Sequence, residues 1–152
     1  GEATRVMSLR DGTKKMSKSD ASDASRINLT DTAEEISNKI KKAKTDPHPL
    51  PDTIEELKDR PEANNLMSIY SSLSDQTLEK ALIEFSGKGF SYFKPRLIDL
   101  AIETLSPISR EMRSLLKYRN EIDKILKNGE QKAKEIAEPV LKDVKNLVGF
   151  VN

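Results

Sequence analysis

The segment RVMSLRDGTKKMSKSD, residues 5–20, starts with a short apolar stretch and ends in a loop of lysines and serines. Residues 4–9 have the alternation of a short β-strand, and Asp11-Gly12 marks a turn after them. Because lysine carries a compact positive charge and serine offers neutral donors, the loop suits a polyphosphate ligand. A lone strand cannot satisfy its own backbone groups, so the segment predicts the edge of a sheet whose other strands lie outside this sequence.

The composition narrows the class of protein. The 152 residues contain 26 Lys and Arg against 25 Asp and Glu, with no cysteine and one histidine, His48. Lack of cysteine excludes disulfides and thiolate metal sites, and it suits a cytosolic protein. His48 lies between two prolines and is expected on the surface. No apolar run approaches the ~20 residues of a membrane span, and no signal peptide is recognisable, so we expect a cytoplasmic protein without membrane contact.

Apolar residues recur at helical spacing from residue 31 onward. Asp31 and Glu34 predict a capping box at the start of the first helix. Its buried stripe is expected to comprise Ala33, Ile36, Ile40 and Ala43. The prolines of residues 46–51 end this helix, because proline removes a backbone donor and restricts the residue before it. The loop that follows is expected to extend to about residue 63, with one helical turn within it.

The same spacing predicts further helices at residues 65–73, 74–85, 94–126 and 130–148. Ser74 is the expected cap of the second of these, and Lys94-Pro95 the start of the third. Asn128-Gly129 is expected to break the pattern, while Pro107 and Pro139 should bend the helices that contain them. The apolar stripe of the last helix, including Ile136 and Val140, is expected to face inward. The chain therefore divides into a strand and loop at residues 1–29 and a helical part at residues 30–152.

The run Lys15-Met16-Ser17-Lys18-Ser19 is similar to the KMSKS signature of class I aminoacyl-tRNA synthetases. Three further stretches narrow the resemblance: KKAKTDP at residues 41–47, NLMSIYSSLS at residues 65–74 and GKGFSYFK at residues 87–94. Together they resemble the tryptophanyl-tRNA synthetase family of bacterial type. The resemblance covers almost the whole chain.

The resemblance implies a mostly α fold in two parts. Residues 1–29 would be the end of a Rossmann-like nucleotide-binding fold with its KMSKS loop, and residues 30–152 a helical domain of the anticodon-binding type. Nothing before Lys15 resembles the family's HIGH motif. The resemblance therefore implies a C-terminal portion that lacks the tryptophan pocket and is inactive alone.

The family activates tryptophan with ATP, in the presence of Mg²⁺, and transfers it to tRNA for protein biosynthesis. The resemblance assigns catalytic roles to Lys15 and Lys18, which would stabilise the charge on the departing pyrophosphate, with Lys18 the larger contributor. It implies contacts to ATP from Val6, Met7, Lys15, Met16, Ser17, Lys18 and Ser19, with Met16 as an apolar anchor. It implies no metal ligand in this chain. The implied partners are tryptophan tRNA, ATP and tryptophan, and the full enzyme would be a homodimer.

Two groups of side chains are candidates for contact with tRNA. A basic cluster on the first helix suits phosphates, although a solvated helix face is the favoured interpretation; it comprises Lys39, Lys41, Lys42 and Lys44. Tyr92 and Phe93, beside Lys88, Lys94 and Arg96, are the best candidates for stacking on unstacked bases. The alternative function is a stand-alone helical interaction module whose Lys/Ser loop is incidental.

Overall fold

The computed structural model describes residues 5–149, so residue 4 of the predicted strand lies outside it. Helices dominate this part of the chain, as predicted: α1 (Ala33–Lys41), α2 (Ile54–Lys58), α3 (Pro61–Leu73), α4 (Leu78–Phe85), α5 (Phe90–Lys117) and α6 (Arg119–Val148). One 3-10 turn, η1 (Asp23–Ser25), precedes them. The chain forms two compact units, Gly1–Arg110 and Glu111–Asn152. A domain boundary between residues 29 and 30 stays a prediction.

The predicted strand reduces to a single antiparallel bridge, between Met7 and Lys15. Beside it, the Ser8 N–H donates to the Lys14 carbonyl at 2.8 Å. The Lys/Ser loop therefore folds back and forms backbone hydrogen bonds with the segment that precedes it.

Leu9 joins this segment to the helical part of its unit. Its side chain is buried in the core, its N–H donates to the Ser25 carbonyl at 2.9 Å, and its carbonyl accepts from the Lys44 N–H at 2.8 Å. The backbone of this buried leucine therefore joins the end of the loop region, at Ser25, to the residues that follow α1, at Lys44.

The turn at Asp11-Gly12 forms as predicted. The Asp11 carboxylate accepts from the Thr13 N–H at 3.1 Å and from the Thr13 hydroxyl at 2.6 Å, and the Lys14 N–H donates to the Asp11 carbonyl at 3.1 Å. These Thr13 hydrogen bonds, together with the nearby Lys14 ammonium, lower the pKa of Asp11 to about 2. Gly12 is buried where this turn meets the start of α3.

Gly12→Ala is expected to lower the free energy of unfolding by about 1–3 kcal/mol, the usual cost of forcing atoms into a packed interior. A methyl group on Gly12 would lie 2.6 Å from the Glu62 nitrogen and against the Pro61 carbonyl, and neither backbone atom can rotate away. Urea unfolding measures the change. Gly89→Ala is the control, since its methyl would meet only the Ser91 hydroxyl, at 3.8 Å. Equal stability of the two variants would contradict the predicted clash.

The caps of α1 and α4 differ from prediction. The capping box of α1 lies one residue later than predicted: the Glu35 N–H donates to the Thr32 hydroxyl at 3.3 Å, and the Thr32 N–H to the Glu35 carboxylate at 2.7 Å. The Asp31–Glu34 pairing was therefore wrong, because the Asp31 carboxylate instead binds a buried lysine. Thr77 caps α4, whereas Ser74 ends α3.

The core lies among α1 to α4 and the first half of α5. Its centre is an aromatic cluster in which the Phe85 ring meets Tyr70 and Phe93 edge-on, at centroid distances of 4.8 and 4.9 Å. Such edge-to-face pairs each add roughly 0.5–1.5 kcal/mol beyond the burial of their area. Of the predicted inward residues of α1, Ile36 and Ile40 are fully buried, whereas Ala33, in the first turn, is exposed, so its assignment was wrong. This packing fixes the helical core against which Leu9 and Met16, on either side of the turn, are packed.

An arginine that the sequence did not single out closes the proline-rich loop after α1. The Arg60 guanidinium forms a fork on the Asp46 carboxylate, at 2.9 and 2.6 Å, and donates to the Pro49 and His48 carbonyls. Burial raises the pKa of Asp46, but the Arg60 hydrogen bonds outweigh it and hold the value below the usual range. His48 itself is exposed, as predicted.

The boundaries of the two long helices were predicted wrongly. Helix α5 begins at Phe90, before Lys94-Pro95, because the Gly89 carbonyl already accepts helical hydrogen bonds. Helix α6 runs unbroken through Asn128-Gly129 and Pro139. A glycine within a helix costs only about 1 kcal/mol relative to alanine, too little to end a helix of this length. The chain instead leaves helical geometry at Tyr118.

Helix α6 presents no buried residue in the described part of its unit. Ile136 and Val140, predicted to face inward, are 76 % and 61 % exposed. Their helical spacing is correct, since the residues form an apolar stripe, but the stripe is not covered in this structure.

Candidate functional site

The Lys/Ser loop displays its charged and hydroxyl side chains to solvent. Lys15, Ser17, Lys18 and Ser19 are all exposed. Within residues 5–149, neither loop ammonium, Lys15 nor Lys18, is in an ion pair with a carboxylate. Met16 is half-buried and packs against the core, which agrees with its predicted role as an anchor. The loop therefore exposes two cations that no carboxylate neutralises, and Met16 anchors its backbone to the core. Such cations suit a polyphosphate, because charge-assisted hydrogen bonds to phosphate oxygens are strong.

A local hydrogen-bond pattern brackets Lys18. The Ser17 and Ser19 hydroxyls lie 2.9 Å apart, and the Ser19 N–H donates to the Ser17 hydroxyl at 3.3 Å. The Asp20 N–H also donates to the Ser17 carbonyl, at 3.4 Å. The chain thus turns around Lys18, and the serine hydroxyls that the sequence assigned to ATP bind each other here.

A buried lysine anchors the far end of the loop. The Lys39 ammonium binds the Asp31 carboxylate at 2.6 Å and the Asp23 carboxylate of η1 at 2.7 Å, with only 7 % of Lys39 exposed. Burial lowers the pKa of Lys39, but the hydrogen bonds that its ammonium donates to both carboxylates outweigh burial and leave the pKa raised. The expectation of a solvated face was therefore wrong for Lys39, although it holds for Lys41 and Lys42, which are exposed.

An asparagine of α3 supports the other side of the loop segment. The Met7 N–H donates to the Asn65 side-chain oxygen at 2.9 Å, and the Asn65 amide donates to the Met7 carbonyl at 2.9 Å. Sequence reasoning placed Asn65 only at the start of a helix. A polar residue beside the apolar stripe of a helix could have drawn attention to Asn65, but nothing in the sequence pointed to its partner, Met7.

The start of α5 sends a lysine to the end of α1. The Lys94 ammonium donates to the Lys41 and Ala43 carbonyls at 3.0 and 2.7 Å, and the Arg10 guanidinium donates to the Lys42 carbonyl at 2.6 Å. Cations suit this position because the last carbonyls of a helix lack partners. Burial lowers the pKa of Lys94. Lys94 is thus a structural cap rather than an open contact for phosphate.

Of the two predicted stacking residues, the structure exposes one. Phe93 is fully buried in the aromatic cluster, so its assignment was wrong, whereas Tyr92 is 42 % exposed. The Arg96 guanidinium lies 3.5 Å from the centre of the Tyr92 ring, and the Lys88 ammonium 5.7 Å from it. This cationic and aromatic surface can attract phosphate and stack a base on the guanidinium plane.

An open pocket of about 570 Å³ lies beside α1 and the start of α5, away from the Lys/Ser loop. Its lining residues are Ser37, Lys41, Phe90, Ser91, Lys94, Pro95, Ile98 and Asp99. None of the predicted ATP contacts lines it, so the loop, and not this concavity, is the candidate nucleotide site.

Two features concern membranes and metals. None of the helices between residues 5 and 149 has both the length and the apolar character of a membrane span. The same residues contain no cluster of three or more carboxylate or imidazole groups placed to hold a metal ion.

The fold is expected to lose stability in acid. Hydrogen bonds from Lys39 and from Lys44 lower the pKa values of Asp23 and Glu62, and the pKa of Asp11 is about 2. The unfolded chain therefore binds protons more readily. The contribution of these carboxylates to the free energy of unfolding is complete above their unfolded pKa values of about 4. It is lost as the pH falls through their lower pKa values in the folded chain. Urea midpoints at about pH 7 and about pH 3 check it; equal midpoints would contradict it.

The fold and the exposed Lys/Ser loop define a class I aminoacyl-tRNA synthetase segment. The model of the family of class I tRNA synthetases for tryptophan and tyrosine (W and Y) matches residues 2–106, and the chain belongs to this family. Among its relatives are proteins named tryptophan–tRNA ligase: that of Caulobacter vibrioides is 56 % identical over 150 residues, and that of Synechocystis 45 % identical over 153.

A solved structure has the same fold. The tryptophanyl-tRNA synthetase from Mycoplasma pneumoniae superposes with a TM-score of 0.75 at 26 % identity, covering 97 % of this chain and 46 % of that one. The alignment with the Caulobacter ligase covers 99 % of this chain but 44 % of the relative. The chain thus spans less than half the length of the relatives that it matches. The family match includes the loop together with the helices, which favours the synthetase interpretation over a stand-alone module.

Proposed function

We propose that the chain is part of a tryptophan–tRNA ligase, which activates tryptophan with ATP and passes it to tryptophan tRNA. The observation that carries this proposal is the 56 % identity to a ligase of that name over nearly the whole chain, KMSKS loop included. The exposed, unneutralised lysines of that loop support the same interpretation.

In the proposed reaction, the tryptophan carboxylate attacks the α-phosphorus of ATP, and the bond to the pyrophosphate oxygen breaks. Negative charge then grows on the departing pyrophosphate, where cations stabilise the transition state more than the ground state. We assign this role to Lys18 and, to a smaller degree, Lys15. Ser17 and Ser19 would donate to phosphate oxygens once their mutual hydrogen bond opens.

The backbone of Val6 and Met7 would face the adenine in the proposed complex. Mg²⁺ would enter with the nucleotide, because this ion usually keeps substrate phosphates among its ligands, and it would neutralise part of their charge. Tyr92 with Arg96 is the stacking surface that we propose for tRNA. We further propose that the complete protein is a homodimer and works in the cytoplasm.

The test is tryptophan-dependent exchange of pyrophosphate into ATP, measured on the full-length polypeptide that carries this sequence. Exchange with tryptophan but not with tyrosine, together with charging of tryptophan tRNA, is expected. Exchange with tyrosine instead would assign the chain to the other branch of its family. No exchange with any amino acid would refute the proposed function.

A further inference from the structure

We infer that Asn65 is a positioning residue for the nucleotide site, because its side-chain amide holds the backbone at Met7 in place. This inference rests on the proposed function, in which Met7 faces the adenine and the loop that starts at Lys15 holds the phosphates. Asn65 touches neither ligand; it acts through the backbone that would touch them.

The amide of Asn65 takes the place of a neighbouring strand. Its oxygen accepts from the Met7 N–H at 2.9 Å, and its nitrogen donates to the Met7 carbonyl at 2.9 Å and to the Ser8 carbonyl at 3.3 Å. A side-chain amide presents an acceptor and a donor side by side, as a peptide group of a paired strand does. Among uncharged side chains of this size, asparagine alone offers both groups in this geometry.

The opposite edge of the backbone at Met7 pairs with the Lys/Ser loop. Met7 and Lys15 form the antiparallel bridge, and the Met16 N–H donates to the Val6 carbonyl at 3.1 Å. The segment at Met7 is therefore held between Asn65 on one side and the beginning of the loop on the other. Any shift at Met7 moves Lys15 with it.

The helix that carries Asn65 is rigidly seated. Asn65 is 6 % exposed, and its neighbours Leu66 and Met67 are almost completely buried in the core. A buried amide that lost its partners would be costly, so the pairing with Met7 is strongly favoured. The helical core thus fixes the position of the backbone at Met7 through the side chain of Asn65.

The test is Asn65→Asp in the full-length polypeptide. The introduced carboxylate can still accept from the Met7 N–H, but it cannot donate to the two carbonyls and it repels them. The KM for ATP in exchange is expected to rise about 10- to 100-fold, the range that unsatisfied buried polar groups produce, while the KM for tryptophan stays unchanged. Lowering the pH protonates the carboxyl and restores a donor, so the KM for ATP should then fall.

Asn64→Asp is the matched control: it makes the same change one position earlier, where the Asn64 oxygen lies 3.4 Å from the Ser68 hydroxyl. Rates are taken per active site, counted from the adenylate formed, so that loss of folded protein lowers the count and not the KM. If Asn65→Asp does not fold, Asn65→Ser, whose hydroxyl is one bond shorter than the amide and cannot make its paired contacts to Met7, is tested for the same rise.

An unchanged KM for ATP, or a loss confined to the number of active sites, would overturn the positioning role. It would leave the proposed function standing, because the unsubstituted protein would still catalyse exchange. Absence of exchange in the unsubstituted protein would instead refute the proposed function and this inference together.

Discussion

Replacing Lys18 with alanine in the full-length polypeptide is expected to slow tryptophan-dependent ATP–pyrophosphate exchange by about 100- to 1000-fold, as for the loss of one oxyanion-stabilising donor. The ammonium of Lys18 is exposed and has no ion-pair partner among residues 5–149. Its charge is therefore available to the departing pyrophosphate. Since the contact strengthens as charge develops, kcat should fall far more than the affinity for tryptophan.

Lys14→Ala is the matched control for Lys18→Ala. Lys14 lies on the same loop and is also exposed, but its ammonium already binds the Asp11 carboxylate at 3.2 Å. Its removal should leave exchange nearly unchanged. If the two alanine variants lost exchange to the same extent, the effect would come from the summed charge of the loop, and the specific role of Lys18 would be wrong.

The loop was predictable because its chemistry is local. Five consecutive residues, Lys15 to Ser19, carry the motif, and the turn at Asp11-Gly12 needs only the Asp11 side chain and Thr13 to form. The helices likewise follow from apolar spacing within short windows. Hence the mostly helical fold, the turn and the anchoring of Met16 were all anticipated.

The supports of the loop were not predictable, because they join residues far apart in the sequence. Asn65 meets Met7 across 58 positions, and Lys39 turns inward to a carboxylate of η1. No pattern in a short window indicates such a partner. The same limit explains the misplaced capping box: Asp31 has the right type and spacing for a cap, but a buried cation competes for its carboxylate and wins.

Helix boundaries failed for a different reason. Asn128-Gly129 was expected to break the helix, but the local cost of the glycine is overcome by the continuous hydrogen bonding of α6. The apolar stripe that includes Ile136 was recognised correctly as a stripe. Whether another surface covers this stripe depends on tertiary contacts, which the spacing of apolar residues in the sequence does not encode.

Lys39→Met is expected to destabilise the fold by about 3–5 kcal/mol, the usual result of removing one partner from a buried ion pair. Asp31, only 6 % exposed, would lose the ammonium that lies 2.6 Å from its carboxylate. Asp23 would lose the contact that ties η1 to α1. Urea unfolding measures the loss, and Lys42→Met, at the exposed residue that directly follows the same helix, is the control.

A double substitution separates the lost charge pair from lost packing. Asp31→Asn in the Lys39→Met background also removes the buried carboxylate that Lys39 binds, so the pair of changes should cost much less than the sum of the single ones. The recovery would be incomplete, because one Asp31 oxygen accepts from the Asn28 N–H at 2.8 Å and the other from the Asn28 side-chain amide at 3.2 Å, whereas an asparagine side chain has only one acceptor oxygen. Strict additivity would mean that Lys39 acts through the packing of its aliphatic stem, whereas recovery would mean that the buried charge itself holds the far end of the Lys/Ser loop.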